Sequence, residues 1–219
     1  MKTNKAYYIA LYAIMFAAIF VAMMLDKAIS FIGLPISLAV CVLLVTFSFA
    51  FIKNEWHIAL FSGVFFGIAS LLKEFIFPPN AALNPYGALL FTNYPYLLPL
   101  QYVLPRLFVG IAAFLMYKLF LILTKNSKMS ARTRQILCIS LGVFVGLLVN
   151  TVLFFTAMII IKQELAVATG GLWAYIVAVF FTNIITEYPI AIILTPLIVL
   201  GVRKGLHLGI EALPLSEED

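Results

Sequence analysis

The sequence predicts an all-α membrane protein: a single domain over residues 1–219 with six transmembrane helices, both termini cytoplasmic, and a long external loop between the third and fourth helices. Three observations carry this. First, 64% of the 219 residues are hydrophobic and only 11% are charged, whereas a soluble domain carries about 25% charged residues. With a mean hydropathy of +1.12, the chain lacks the polar groups to cover a water-facing surface. Second, the apolar residues fall into runs close to the ~20 residues that cross a bilayer. Third, the basic residues segregate by loop. Lys2, Lys5, Lys53, Lys125, Lys128, Arg132, Arg134, Arg203 and Lys204 fall on one side, and only Lys27 and Lys162 on the other. The positive-inside rule puts the first set in the cytoplasm. The net charge of +5 is thereby explained by topology, with no need of nucleic acid.

The six runs are Ala6–Leu25, Ile29–Ile52, Trp56–Phe77, Leu100–Thr124, Gln135–Ile161 and Leu172 to about Val202. The first is too long for a cleaved leader and leads straight into the second. The last is long for one span, and Pro189 and Pro196 are expected to kink it or shift its end into the interface. Cys41 and Cys138 lie inside apolar runs and read as small core residues rather than a disulfide or metal site. Between the third and fourth runs, PPNAALNPYGALLFTNYPYLLP carries no charge and is rich in Pro, Asn and Tyr. Two readings stay open: a lid over a pocket, or an interfacial segment with its tyrosines at headgroup level.

In the first run, Ala6, Ala10, Ala13 and Ala17 follow a helical repeat and draw one stripe. Small stripes let helices approach closely in lipid. The neighbour is either another helix of the chain or a separate partner.

Ionisable groups inside a membrane are costly and mark functional candidates. The third run ends in Lys73 and Glu74, the fourth places Arg106 about two turns in, the fifth carries Asn150, and the last carries Asn183 and Glu187, one turn apart. At about 1.5 Å rise per residue, Lys73, Glu74 and Arg106 fall in the outer third. Asn150 and Asn183 fall near the middle and Glu187 slightly deeper. This is a polar track opening outward. It reads as a solute pocket, or as charges that pair and hold helices together.

The chain has no GxxxxGK[ST] phosphate loop, no pairing of His57 or His207 with a membrane carboxylate, and no repeat relating its two halves. It reads as a binder without an engine. A self-sufficient channel or facilitator needs a polar path through both leaflets, and the inner half is apolar apart from Lys118, whose ammonium can snorkel. An intramembrane enzyme would need a nucleophile–base or metal set that the sequence does not offer, and an assembly factor or non-transport scaffold stays open as a third reading.

Four stretches together resemble one family. GVFFGIASLLKEFIFP, VLPRLFVGIAAFLMYKL, GLLVNTVL and TNIITEYPIAIILTPLIV are similar, in order, to elements of helices three to six in the substrate-binding S components of energy-coupling factor (ECF) vitamin transporters. The pattern is most similar to the pantothenate-type branch, although the second run lacks the His-Pro element of that branch. Relatives with similar motifs take cobalamin, folate or other vitamins. The resemblance implies a bacterial cell-membrane subunit with no cofactor of its own. It joins a transmembrane scaffold subunit and two cytoplasmic ATPases, and topples in the membrane to carry its vitamin inward. It implies that the alanine stripe is the partner-docking face. It implies further that Arg106 or Lys73 meets a carboxylate, that Asn150 and Asn183 bond amide or hydroxyl groups, and that Glu187 bonds a hydroxyl or restrains a neighbour. Tyr86, Asn93, Tyr94 and Tyr96 would close the lid.

Overall fold

A computed structural model describes residues 5–31, 39–79, 85–161, 176–177, 180–181 and 183–206. All regular structure among them is helical. Among the described residues five helical stretches are long and apolar enough to cross a membrane.

Helix α1 (Lys5–Phe31) runs six residues past the predicted end at Leu25, because no glycine or proline interrupts the chain before Gly33. The predicted second span therefore starts too early, since Ile29 belongs to α1. Helix α2 (Ala39–Ile52) has 14 residues and is shorter than a full span; residues 32–38 lie outside the described residues. Met15, Ile19 and Met23, spaced four apart on α1, are buried in the core. Ala6, Ala10, Ala13 and Ala17 are exposed.

Helix α3 (Trp56–Ile76) matches expectation. The segment predicted as a loop does not. It forms α4 (Pro85–Asn93), a 3₁₀ turn (Pro95–Leu97) and α5 (Leu98–Tyr102), ahead of α6 (Leu104–Leu123). Its prolines mark helix starts rather than irregular chain: Pro85 opens α4, and Pro95, Pro99 and Pro105 sit in the first turns of the next three elements, where a missing N–H costs nothing. The helices survive because they have something to bury. Tyr86, Leu90, Leu98 and Tyr102 pack with Met158 and Ile176.

Helix α7 (Ala131–Ile161) begins four residues before Gln135, with Ser130 as its N-cap: the Thr133 amide donates to Ser130 Oγ at 3.2 Å. The last stretch is a π-helical turn (Asn183–Glu187) running into α8 (Tyr188–Gly205). Residues 172–175, where this span was predicted to begin, lie outside the described residues. Pro189 has no N–H to give the carbonyl four residues back, and the ladder widens into the π turn just before it. Pro196, deeper in α8, frees the carbonyl of Ile192. The Ser140 hydroxyl of α7 donates to that carbonyl at 3.0 Å, so a neighbouring helix repairs the break. Ser140→Ala is expected to lower the stability of the purified protein by about 1–2 kcal/mol, read as a lower midpoint of thermal unfolding in detergent.

At the far end of α8, buried Arg203 caps α2. Its guanidinium donates to the carbonyls of Phe51 and Ile52, the last of that helix, where a cation also suits the helix dipole.

Glycines set the spacing of the central helices. A Cβ on Gly63 would lie 2.7 Å from the backbone oxygens of Arg106 and Leu107, and one on Gly110 would collide with Ala59 O and Ser62 Oγ. Helices α3 and α6 therefore touch backbone to backbone. Gly142 of α7 stands in the same relation to Ala113 O of α6, at 2.7 Å.

Candidate functional site

A cavity of about 200 Å³ opens among α1, α2, α3, α6, α7 and the start of α8. Its polar lining comes from Asp26, Ser70, Lys73, Arg106, Asn150, Thr151, Glu187 and Tyr188, and Met23, Phe66, Leu147 and Phe154 supply apolar wall. Asp26 and Lys73 are near the C-terminal ends of their helices, and Arg106 and Glu187 near the N-terminal starts of theirs. In an antiparallel bundle these are the same end. The other end is filled by Phe47, Phe51, Tyr117, Cys138 and Val199, all fully or almost fully buried.

Ser70 and Lys73 lie one turn apart on α3, which puts both on the cavity face. Lys73 Nζ is 3.2 Å from Glu74 Oε1, and Lys27 Nζ of α1 is 3.9 Å from Glu74 Oε2. Glu74 itself is buried. Of the charges expected to pair, this group does so.

Arg106 is held differently. Pro105 cannot donate to the carbonyl of Gln101, four residues back, and Arg106 Nη1 takes that carbonyl at 2.9 Å. The guanidinium carbon stands 5.5–5.6 Å from the ring centres of Phe66, Tyr102 and Phe154, contacts that favour a planar cation. Among the described residues Arg106 joins no ion pair, and its buried Nε has no hydrogen-bond partner. One bond and three rings fix the side chain and leave donor capacity unused.

On α7, Asn150 Oδ1 is also buried without a partner among the described residues. Its neighbour Thr151 is engaged. Tyr188 Oη donates to Leu147 O at 3.0 Å, so the Thr151 hydroxyl, 2.5 Å away, donates to Tyr188. This joins α7 to the first residue of α8 and fixes Glu187, one position earlier, at the cavity wall.

The structure thus brings together Lys73, Arg106, Asn150 and Glu187. Asn183 opens the π turn, and its side chain lies outside the described residues. The other four predicted residues are not in the lining. Tyr86 is buried in the second cluster and Tyr94 packs partly buried against it, while Asn93 and Tyr96 are exposed. Sequence reasoning missed Asp26, Thr151 and Tyr188. Asp26 had a signal, as the one carboxylate on α1, but it was assigned to a loop. Compared with known protein families, curated proteins and solved structures, the chain finds no match in any of the three.

Proposed function

We propose that this chain is the substrate-binding S component of an ECF-type importer for a small water-soluble vitamin. Pantothenate is the first candidate, and cobalamin, folate or another vitamin the alternatives. The observation that carries the reading is a one-ended cavity whose Arg106 Nε and Asn150 Oδ1 are buried and unsatisfied. A buried polar group without a partner costs about 1–3 kcal/mol, and a bound solute offsets that cost. The volume of about 200 Å³ equals roughly seven waters at about 30 Å³ each, which favours a compact vitamin over a macrocycle. The apolar opposite end argues against a self-sufficient channel. The test is calorimetric titration of the purified chain with a vitamin panel; if none binds tighter than about micromolar, the reading fails. Flux through liposomes holding this chain alone would favour the channel instead.

In this reading the protein sits in a bacterial cell membrane. It docks through Ala6, Ala10, Ala13 and Ala17 against a transmembrane scaffold subunit that carries two cytoplasmic ATPases. Support comes from the stripe's position: all four alanines are exposed at the surface of the described residues. The double substitution Ala10→Leu with Ala13→Leu is expected to abolish co-purification with the scaffold and ATPases. Solute binding by the isolated chain should be unchanged, because the cavity lies on the opposite side of α1 from the stripe.

A further inference from the structure

We propose that the chain binds an anionic phospholipid, one acyl chain lying in a groove over α2 and the phosphate meeting Lys53. This site shares no residue with the polar cavity. The groove has a volume of about 270 Å³ and a wholly apolar surface. Val45, Ser48 and Ile52 of α2 line it, with Ala18 of α1 on one side and Ile198 and Val202 of α8 on the other. Spacings of three and four put the α2 residues on one face, away from buried Thr46, Phe47 and Ala50. The groove therefore looks outward, and Ile198 and Val202 are exposed beside it.

In a chain that spans a membrane, such a groove gains nothing from leaving water. It orders one lipid chain by close contact alone, so the charge at its end decides which lipid stays. On α2 and α8 the groove ends at Ile52 and Val202, and the next residues are Lys53 and Arg203. Tyr7 and Ala18 lie about three turns apart and share a face of α1. Lys53 Nζ stands 3.9 Å from the centre of the Tyr7 ring and 5.4 Å from that of Tyr8, which holds the ammonium at the mouth of the groove. Neither Lys53 nor Arg203 joins an ion pair among the described residues. Glu55, the one described carboxylate at that end of the bundle, is engaged: its Oε2 accepts from Tyr8 Oη at 2.9 Å and lies 3.1 Å from His57 Nε2. Ring faces leave an ammonium its N–H donors, and a phosphate is the acceptor that fits them. Lys5, Lys125, Arg132 and Lys204 stand at the same end. A choline headgroup would bring a second cation among them, whereas a net anionic headgroup brings none.

The experiment is native mass spectrometry of the delipidated full chain in detergent. It is titrated with phosphatidylglycerol, with phosphatidylcholine of the same acyl chains, and with glycerophosphoglycerol, the headgroup without tails. Phosphatidylglycerol is expected to bind at least about fivefold tighter than phosphatidylcholine, the effect of one lysine near an anionic lipid. Glycerophosphoglycerol should not bind. Lys53→Gln should bring the two lipids to about the same affinity, while Lys128→Gln, an exposed cation between α6 and α7, should leave the preference intact. Ser48→Phe, or Ala18→Phe where the first does not fold, fills the groove without touching a charge and should weaken phosphatidylglycerol as much as Lys53→Gln does. Equal binding of the two lipids by the parent chain overturns the proposal. So does a Lys128→Gln effect as large as that of Lys53→Gln, a groove-filled protein that holds phosphatidylglycerol like its parent, or a headgroup that binds without its tails.

Discussion

Gly110→Val should prevent the central helices from docking and cost about 3 kcal/mol or more, the upper range for overpacking. The added carbons fall on the Ala59 carbonyl and Ser62 Oγ. The first of these is backbone, which has no rotamer to escape into, so α3 must move away from α6 as a whole. That movement also pulls Ser70 and Lys73 away from Arg106 and opens the cavity. Loss of the monodisperse peak in size-exclusion chromatography and a collapsed thermal midpoint are the measurements. Gly201→Ala is the matched control. A Cβ there meets nothing within 4 Å, and the helix gains about 0.5–1 kcal/mol by exchanging glycine for alanine. A Gly110→Val protein as stable as its parent would show that the close approach of α3 and α6 is not real.

Arg106→Gln should weaken binding of whichever vitamin titrates into the parent chain by roughly 100-fold, about 3 kcal/mol, the range for removing one partner of a buried charge pair. The same change removes the bond to Gln101 O and so lowers stability by about 1 kcal/mol. The two effects separate by measurement: unfolding midpoint without ligand, and dissociation constant by calorimetry. Arg106→Lys keeps the charge but loses the fork and the flat contact with Phe66, Tyr102 and Phe154, so it should recover only part of the affinity. Unchanged binding in Arg106→Gln would remove Arg106 from the site.

The apolar runs were legible because the bilayer demands them, and the polar exceptions inside them led to four residues that do meet at one cavity: Lys73, Arg106, Asn150 and Glu187. Where the reading failed, it took one signal for another. Apolarity reports the hydrocarbon slab, not the end of a helix. Taking Leu25 as the end of α1 put Asp26 in a loop, when the helix carries it to the cavity wall. The Pro-, Asn- and Tyr-rich segment suffered the opposite error. Its composition resembles a loop, but its prolines stand at first-turn positions and its tyrosines and leucines share faces, which is enough to fold short helices over a second core. Nothing in the sequence indicated that Ser140 would meet Ile192 O, because that bond depends on how two distant helices are rotated.

The glycine contacts between α3, α6 and α7 have a mechanical consequence. Helices whose backbones touch cannot be squeezed closer, and to part them is to lose their whole contact at once, so these three behave as a stiff plate. Helices α1, α2 and α8 meet the rest through long, rotatable side chains such as Met15, Met23, Phe47 and Phe51, which yield in small steps. On the proposed reading, a solute would enter by bending this softer flank away from the plate. Amide deuterium uptake should be fastest around Asp26 and Glu187 and slowest along Gly63, Gly110 and Gly142.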